Sequence, residues 1–144
     1  ATIYSQAKSY RQISTPGFRT LAGFIFGGNE SNTRIAMTSP VHMDINDSTS
    51  AMSFVMPSKY DEQSLPSPND SRVKLERSQA EHVAVLKFPG YASDEKIKRY
   101  STKLKTALEK NGIGVLLGDS AALASTMRGA TTVVPIAANP QRIK

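Results

Sequence analysis

One stretch constrains the fold of this chain more than any other. An apolar segment runs into Phe24-Ile25-Phe26-Gly27-Gly28-Asn29, and a second begins at Ile35-Ala36-Met37-Thr38-Ser39-Pro40-Val41. Upstream, Phe18, Leu21, Ala22 and Ile25 recur at helical spacing, with Thr15 as a cap and Pro16 at the first helical position. Glycine tolerates the positive φ that stops a helix, so the helix ends at the glycine pair. The residues from 35 to 44 alternate as a strand. Ile35, Met37, Ser39, Val41 and Met43 fall on one face, and Ala36, Thr38, Pro40, His42 and Asp44 on the other. A polar turn, 46–50, and a strand from Met52 to Met56 complete a hairpin that covers the helix stripe.

The second half reads the same way. Beyond the proline-stiffened Leu65-Pro66-Ser67-Pro68-Asn69-Asp70, strands are expected over 73–77 and 82–88, then a Pro89-Gly90-Tyr91 turn. A second helix starts at Ser93, with Asp94 and Glu95 at its positive end and the stripe Ile97, Tyr100, Leu104, Leu108; Asn111-Gly112 ends it. Strands are expected over 113–117 and 132–137, while 121–127 has helical propensity. The pattern is α+β: two βαββ-like halves with no detectable identity between them.

At 144 residues the chain is read as one domain, residues 1–144, large enough for a core of its own. It has no cysteine, which excludes disulfides and thiolate ligands. No apolar run is long enough for a membrane span, and no secretory leader is visible, so a cytoplasmic monomer is expected. The absence of an initiator methionine is compatible with a removed leader. A net charge of +6 favours anionic partners, much of it carried by the helix-two lysines 96, 98, 103, 105 and 110. Nucleic acid is not expected, because the aromatics Phe24, Phe26, Phe54 and Phe88 sit inside apolar segments and not along a basic stripe. Nucleophile–base, paired-carboxylate and phosphate-loop constellations are not readable, so nothing points to an enzyme.

Five segments resemble, in order and spacing, the SOUL haem-binding family. They are GFRTLAGFIFGGN at 17–29, IAMTSPV at 35–41, FVMP at 54–57, LPSPND at 65–70 and VAVLKFPGY at 83–91. The resemblance covers about Gly17 to Ile113. It implies a distorted antiparallel β-barrel or a curved sheet flanked by two helices, with an apolar groove for haem or another porphyrin. The same architecture is similar to bacterial effector-binding domains that take bulky organic cations. Both ends differ from the family pattern. GDSAALASTMRG at 118–129 stands where the family carries an NPPW-type loop, and an expected leading strand is missing, as in a truncated, divergent or engineered relative.

A flat apolar slot could form from Leu21, Phe24 and Ile25 of the helix over Met37, Val41 and Met43, with Met52, Phe54 and Met56 on the next strand. The methionines at 37, 43, 52 and 56 suit an adaptable pocket, or they fill core. His42 is the candidate axial iron ligand, although alternation turns it away from Met37 and Val41; His82 is the other histidine. Arg19, Arg34, Lys59 and Lys98 are candidate partners for propionates. The expected function is to hold a planar hydrophobic tetrapyrrole for buffering or transfer. The alternatives are an effector-binding module for bulky hydrophobic molecules and a protein-interaction domain using the basic face of helix two.

Overall fold

A computed structural model describes residues 1–38, 41–46, 48–78, 82–115, 121–126 and 129–136, the last two stretches by backbone alone. The elements run β1 (Thr2–Ser5), α1 (Tyr10–Ile25), β2 (Val41–Ile45), β3 (Ser50–Phe54), β4 (His82–Phe88), α2 (Asp94–Lys110), β5 (Ala121–Thr126) and β6 (Gly129–Ile136). All strand pairs are antiparallel, in the order β1-β3-β2-β5-β6-β4. The α+β class therefore holds, with two helices and a curved sheet. The sheet is not a barrel: β1 and β4 are its edges and do not pair with each other.

Alternation divides the sheet into two faces. Ile3, Met52, Met43 and Leu86 share one register row, bridged between Met43 and Leu86 by Leu123 and Thr132. On that face Ile3, Met43 and Met52 are buried with Ile13, Leu21, Phe24, Ile25, Val41, Phe54, Phe88 and Ile97 in one core beneath the helices. The next row, Thr2, Ser53, His42, Ala124, Thr131 and Lys87, belongs to the other face. Helix α1 packs on β3 and β1, and α2 on β6, β4 and β5.

Several boundaries differ from the expectation. Helix α1 begins at Tyr10, capped by Ser9, whose Oγ accepts the Gln12 N–H at 3.2 Å, and Pro16 lies inside the helix. Its buried face is Ile13, Gly17, Leu21 and Phe24, while Phe18 stays exposed and meets the Phe54 ring edge-on at 5.4 Å. The strand expected over 35–44 is β2 alone. Ile35 instead follows a single bridge between Arg34 and Phe26, and its amide donates to the Ile25 carbonyl at 2.8 Å. The strand expected over 52–56 sits at 50–54, and 73–77 contributes one bridge, Lys74 to Thr2. Strand β1 is an addition to the expected set. Residues 113–115 form no named strand; 116 and 117 lie outside the described residues. The helix-prone stretch 121–127 is strand β5 through Thr126, with 127 outside the description. Strand β6 begins three residues before the expected 132–137 and ends at Ile136; Ala137 also lies outside the described residues.

Candidate functional site

The Gly-Gly-Asn motif turns out to build the loop that leaves α1. Gly27 has φ +116°, and the Gly28 amide donates to the Gly23 carbonyl at 2.8 Å, the long-range bond of a Schellman-type helix end. A Cβ on Gly28 would sit 2.5 Å from that carbonyl oxygen. Asn29 is 1% exposed and fully engaged. Its Nδ2 donates to the carbonyls of Phe24 (3.1 Å) and Thr33 (2.8 Å), and its Oδ1 accepts the Thr33 amide (3.0 Å) and the Ser31 hydroxyl (3.2 Å).

On the sheet face away from the helices lies a cavity of about 870 Å³, within the usual size of small-molecule pockets. Its floor includes Thr2, Ser53 and His42. Its wall is the connection from β3 to β4, which contributes Val55, Met56, Tyr60, Leu65 and Leu75. That wall is tied to the edge strand: Thr2 and Lys74 exchange backbone hydrogen bonds of 2.8 and 2.7 Å, and the Tyr4 hydroxyl donates to Glu76 Oε2 at 2.7 Å. The Glu76 hydrogen bond, more than burial, raises the Tyr4 pKa above its ordinary value.

The charges around the cavity oppose the sign of the whole chain. Asp61, Glu62 and Glu76 line it, against Arg77 and the exposed imidazole of His42. Hydrogen bonds from Ser64, then from the Gln63 amide, hold the Asp61 carboxyl below its usual range, so the rim stays anionic.

The residues expected at a ligand slot divide into three groups. His42, Phe54 and Met56 meet at this cavity. Leu21, Phe24, Ile25, Val41, Met43 and Met52, and the side chain of Phe54, lie in the core beneath the helices. Met37 is 41% exposed and does not line the cavity. Of the expected propionate partners, Lys59 alone stands beside the cavity, over Tyr60 of its wall. Arg34 stands 6.0 Å over the Phe26 ring, Lys59 lies 5.1 Å over Tyr60, and Lys98 is on the exposed side of α2. Arg19 lines a smaller cavity of about 340 Å³ with Arg72, which is paired to Asp70 at 2.6 Å. His82 is exposed on the edge strand. Tyr60, Leu65, Leu75, Glu76 and Arg77 are additions to the expected site residues. The available signal was the length of the β3–β4 connection, with isolated apolar residues that no strand or helix period explains.

The lining offers the apolar side chains of Met56, Tyr60, Leu65 and Leu75, the imidazole of His42 and the guanidinium of Arg77. Among the described residues there is no cluster of three His, Cys, Asp or Glu able to hold a bare metal ion. The class is α+β, a curved antiparallel sheet with two helices on one face and a cavity beside the other. The SOUL heme-binding protein family profile matches residues 1–127, and the chain belongs to that family. The match extends across β1 and β5, beyond the segments that first suggested it. A comparison with curated proteins found no match.

Proposed function

We propose that this protein binds haem or a related tetrapyrrole in the cavity beside β2 and β3, as a cytoplasmic monomer that buffers or transfers its ligand. The observation that carries this reading is the convergence of His42 with Met56, Tyr60, Leu65 and Leu75 around one opening of suitable volume. Family membership supports the ligand class. Bound haem would supply an iron able to take a nitrogen ligand; His42 would offer the imidazole and Arg77 a positive charge for a propionate. The element order, βαββ followed by βαββ, with Ser9 and Ser93 capping equivalent helices, supports a duplication of two halves.

Titration with hemin, followed at the Soret band, tests the proposal in the parent and in His42→Ala, with metal-free protoporphyrin in parallel. A saturable red-shifted band lost in the variant supports axial ligation by His42. Equal binding of protoporphyrin and of hemin to the variant supports an apolar site without a ligand to iron. Dissociation constants all weaker than about 100 µM would sink the tetrapyrrole reading.

A second reading, a module for bulky hydrophobic effectors, is favoured by one observation. Asp61, Glu62 and Glu76 outnumber Arg77 at the cavity, which favours a neutral or cationic ligand. Tetraphenylphosphonium and tetraphenylborate have one shape and opposite charge. Preference for the phosphonium, with no porphyrin binding, would select this reading.

A further inference from the structure

The cavity lining contains one Lys or Arg, Arg77, whereas α2 carries six. Lys96, Lys103 and Lys110 recur every seven residues with Arg99 between them, and at 3.6 residues per turn they form a stripe along one flank. The buried side of the helix is Ile97, Ser101, Leu104 and Leu108, so the stripe is directed outward. Arg99, Lys103 and Lys110 are exposed. By the same periodicity Glu109 falls nearer the other flank, while Glu95 lies one turn before Arg99 and offsets part of its charge.

A second, independent feature lies at the head of this stripe. Tyr91 is 94% exposed, the most exposed of the large hydrophobic side chains among the described residues. It projects from the turn that joins β4 to α2, where Gly90 has φ +78°. That turn is fastened to the stripe itself, because Lys96 Nζ donates to the Pro89 carbonyl at 3.3 Å. An amphipathic aromatic is thus held beside the first cation of a four-cation row.

We infer that the Tyr91 turn and the Lys96–Arg99–Lys103–Lys110 stripe dock this domain onto an anionic phospholipid surface. Basic side chains near such a surface are attracted by its potential, and a tyrosine ring is at home in the headgroup region. The described residues contain no helix long and apolar enough to cross a bilayer, so the contact is peripheral. Single-stranded nucleic acid fits the same charge less well. It needs aromatic platforms along the row, and the one aromatic there, Tyr100, is stacked on Phe88 with centroids 4.7 Å apart and covered by Arg99 at 4.9 Å.

The test uses the whole chain without tetrapyrrole, so its outcome is independent of the cavity. The chain contains no tryptophan, and Tyr91→Trp places a single reporter at the turn. Partition is measured on phosphatidylcholine vesicles with and without about one third phosphatidylserine, at about 0.1 M salt. The expected result is binding to the anionic vesicles alone, with a blue shift of the tryptophan emission. Lys103→Glu/Lys110→Glu should weaken partition by at least about thirty-fold, from roughly a factor of five per charge. Both side chains are solvent-exposed on the outer face, so the fold tolerates the change. Tyr91→Ala should weaken it about five-fold. Three results would overturn the inference: no partition onto anionic vesicles, partition undiminished by the double charge reversal, or partition with no change in the tryptophan emission. Salt-sensitive capture of single-stranded RNA without vesicle binding would replace the lipid with nucleic acid.

Discussion

Asp94 Oδ1 accepts the backbone N–H of Tyr10 at 2.6 Å, so the first residue of α2 caps the first turn of α1. Its Oδ2 also accepts the Arg11 amide, at 3.3 Å. Helix α1 has no acidic residue in its own first turn, and this carboxylate stands at the positive ends of both helices. Burial, and next the charge of Asp94, raise the Tyr10 pKa above its ordinary value.

Asp94→Ala should therefore act on both helices, whereas Ser93→Ala should act on α2 alone. The expected losses are about 1–2 kcal/mol for Asp94 and about 1 kcal/mol for Ser93, read from urea denaturation. Amide exchange separates the two. The first turn of α1, residues 10–13, should lose protection in Asp94→Ala and keep it in Ser93→Ala. Asp94→Asn should also move the Tyr10 titration part of the way back toward its ordinary value.

How far the chain could be read from its sequence follows from the range of each contact. Helix α2 was legible because Ser93, Asp94, the buried stripe and Asn111-Gly112 are all local signals. The start of α1 had its own local signal in Ser9, three residues before Gln12, which was passed over, while the second cap on its early turns, the Asp94 carboxylate, is 84 residues away. Strand β1 has only four residues, and its partners lie in β3, far along the chain. His42 was placed on the correct face by simple alternation, since Val41 and Met43 are buried and it is exposed. The cavity wall was hidden because Tyr60, Leu65 and Leu75 belong to an aperiodic connection whose shape depends on Lys74 pairing with Thr2.

The glycine–asparagine motif should prove structural when it is substituted. Gly28→Ala forces a Cβ against the Gly23 carbonyl, a backbone atom that cannot swing aside. Asn29→Ala strips four hydrogen bonds from a buried site and leaves the Phe24 carbonyl short of a donor. Each change should cost about 2–4 kcal/mol in thermal or chemical denaturation. Ligand affinity per folded molecule should be unchanged, because neither residue lines the larger cavity.

The Asp70–Arg72 pair gives a pH dependence of known sign. Side-chain hydrogen bonds from Arg72, and then its backbone amide, lower the Asp70 pKa from 3.8 to about 2. A carboxylate depressed in the folded state stabilises it above its unfolded pKa, and that contribution is lost as pH falls through the folded value. Between pH 3.8 and about 2 the stabilisation from this pair should therefore fade. The effect should be small, since both side chains are solvated and salt screens them. Carboxyl chemical shifts of Asp70, recorded in the parent and in Arg72→Gln, should show a midpoint that rises toward 3.8 in the variant.

The rim of the larger cavity makes the sharpest prediction about ligand choice. Haem carries two propionates, and Glu62 and Glu76 both face the space it would occupy. A pair of unit charges about 8 Å apart in a water-like medium interacts by about 0.5 kcal/mol, roughly a factor of two in affinity. With each glutamate set against one propionate, Glu62→Gln/Glu76→Gln should tighten hemin binding about five-fold. The amide oxygen that replaces the Glu76 carboxylate can still accept the Tyr4 hydroxyl, so the wall keeps its tie to β1. Metal-free protoporphyrin dimethyl ester, which carries neither propionate nor iron charge, should bind parent and variant alike. The gain for free hemin should vanish at about 1 M salt, where the screening length falls to about 3 Å. A variant that improved both ligands equally would mean that the glutamates act through the shape of the wall. No change for either would place the tetrapyrrole away from this rim.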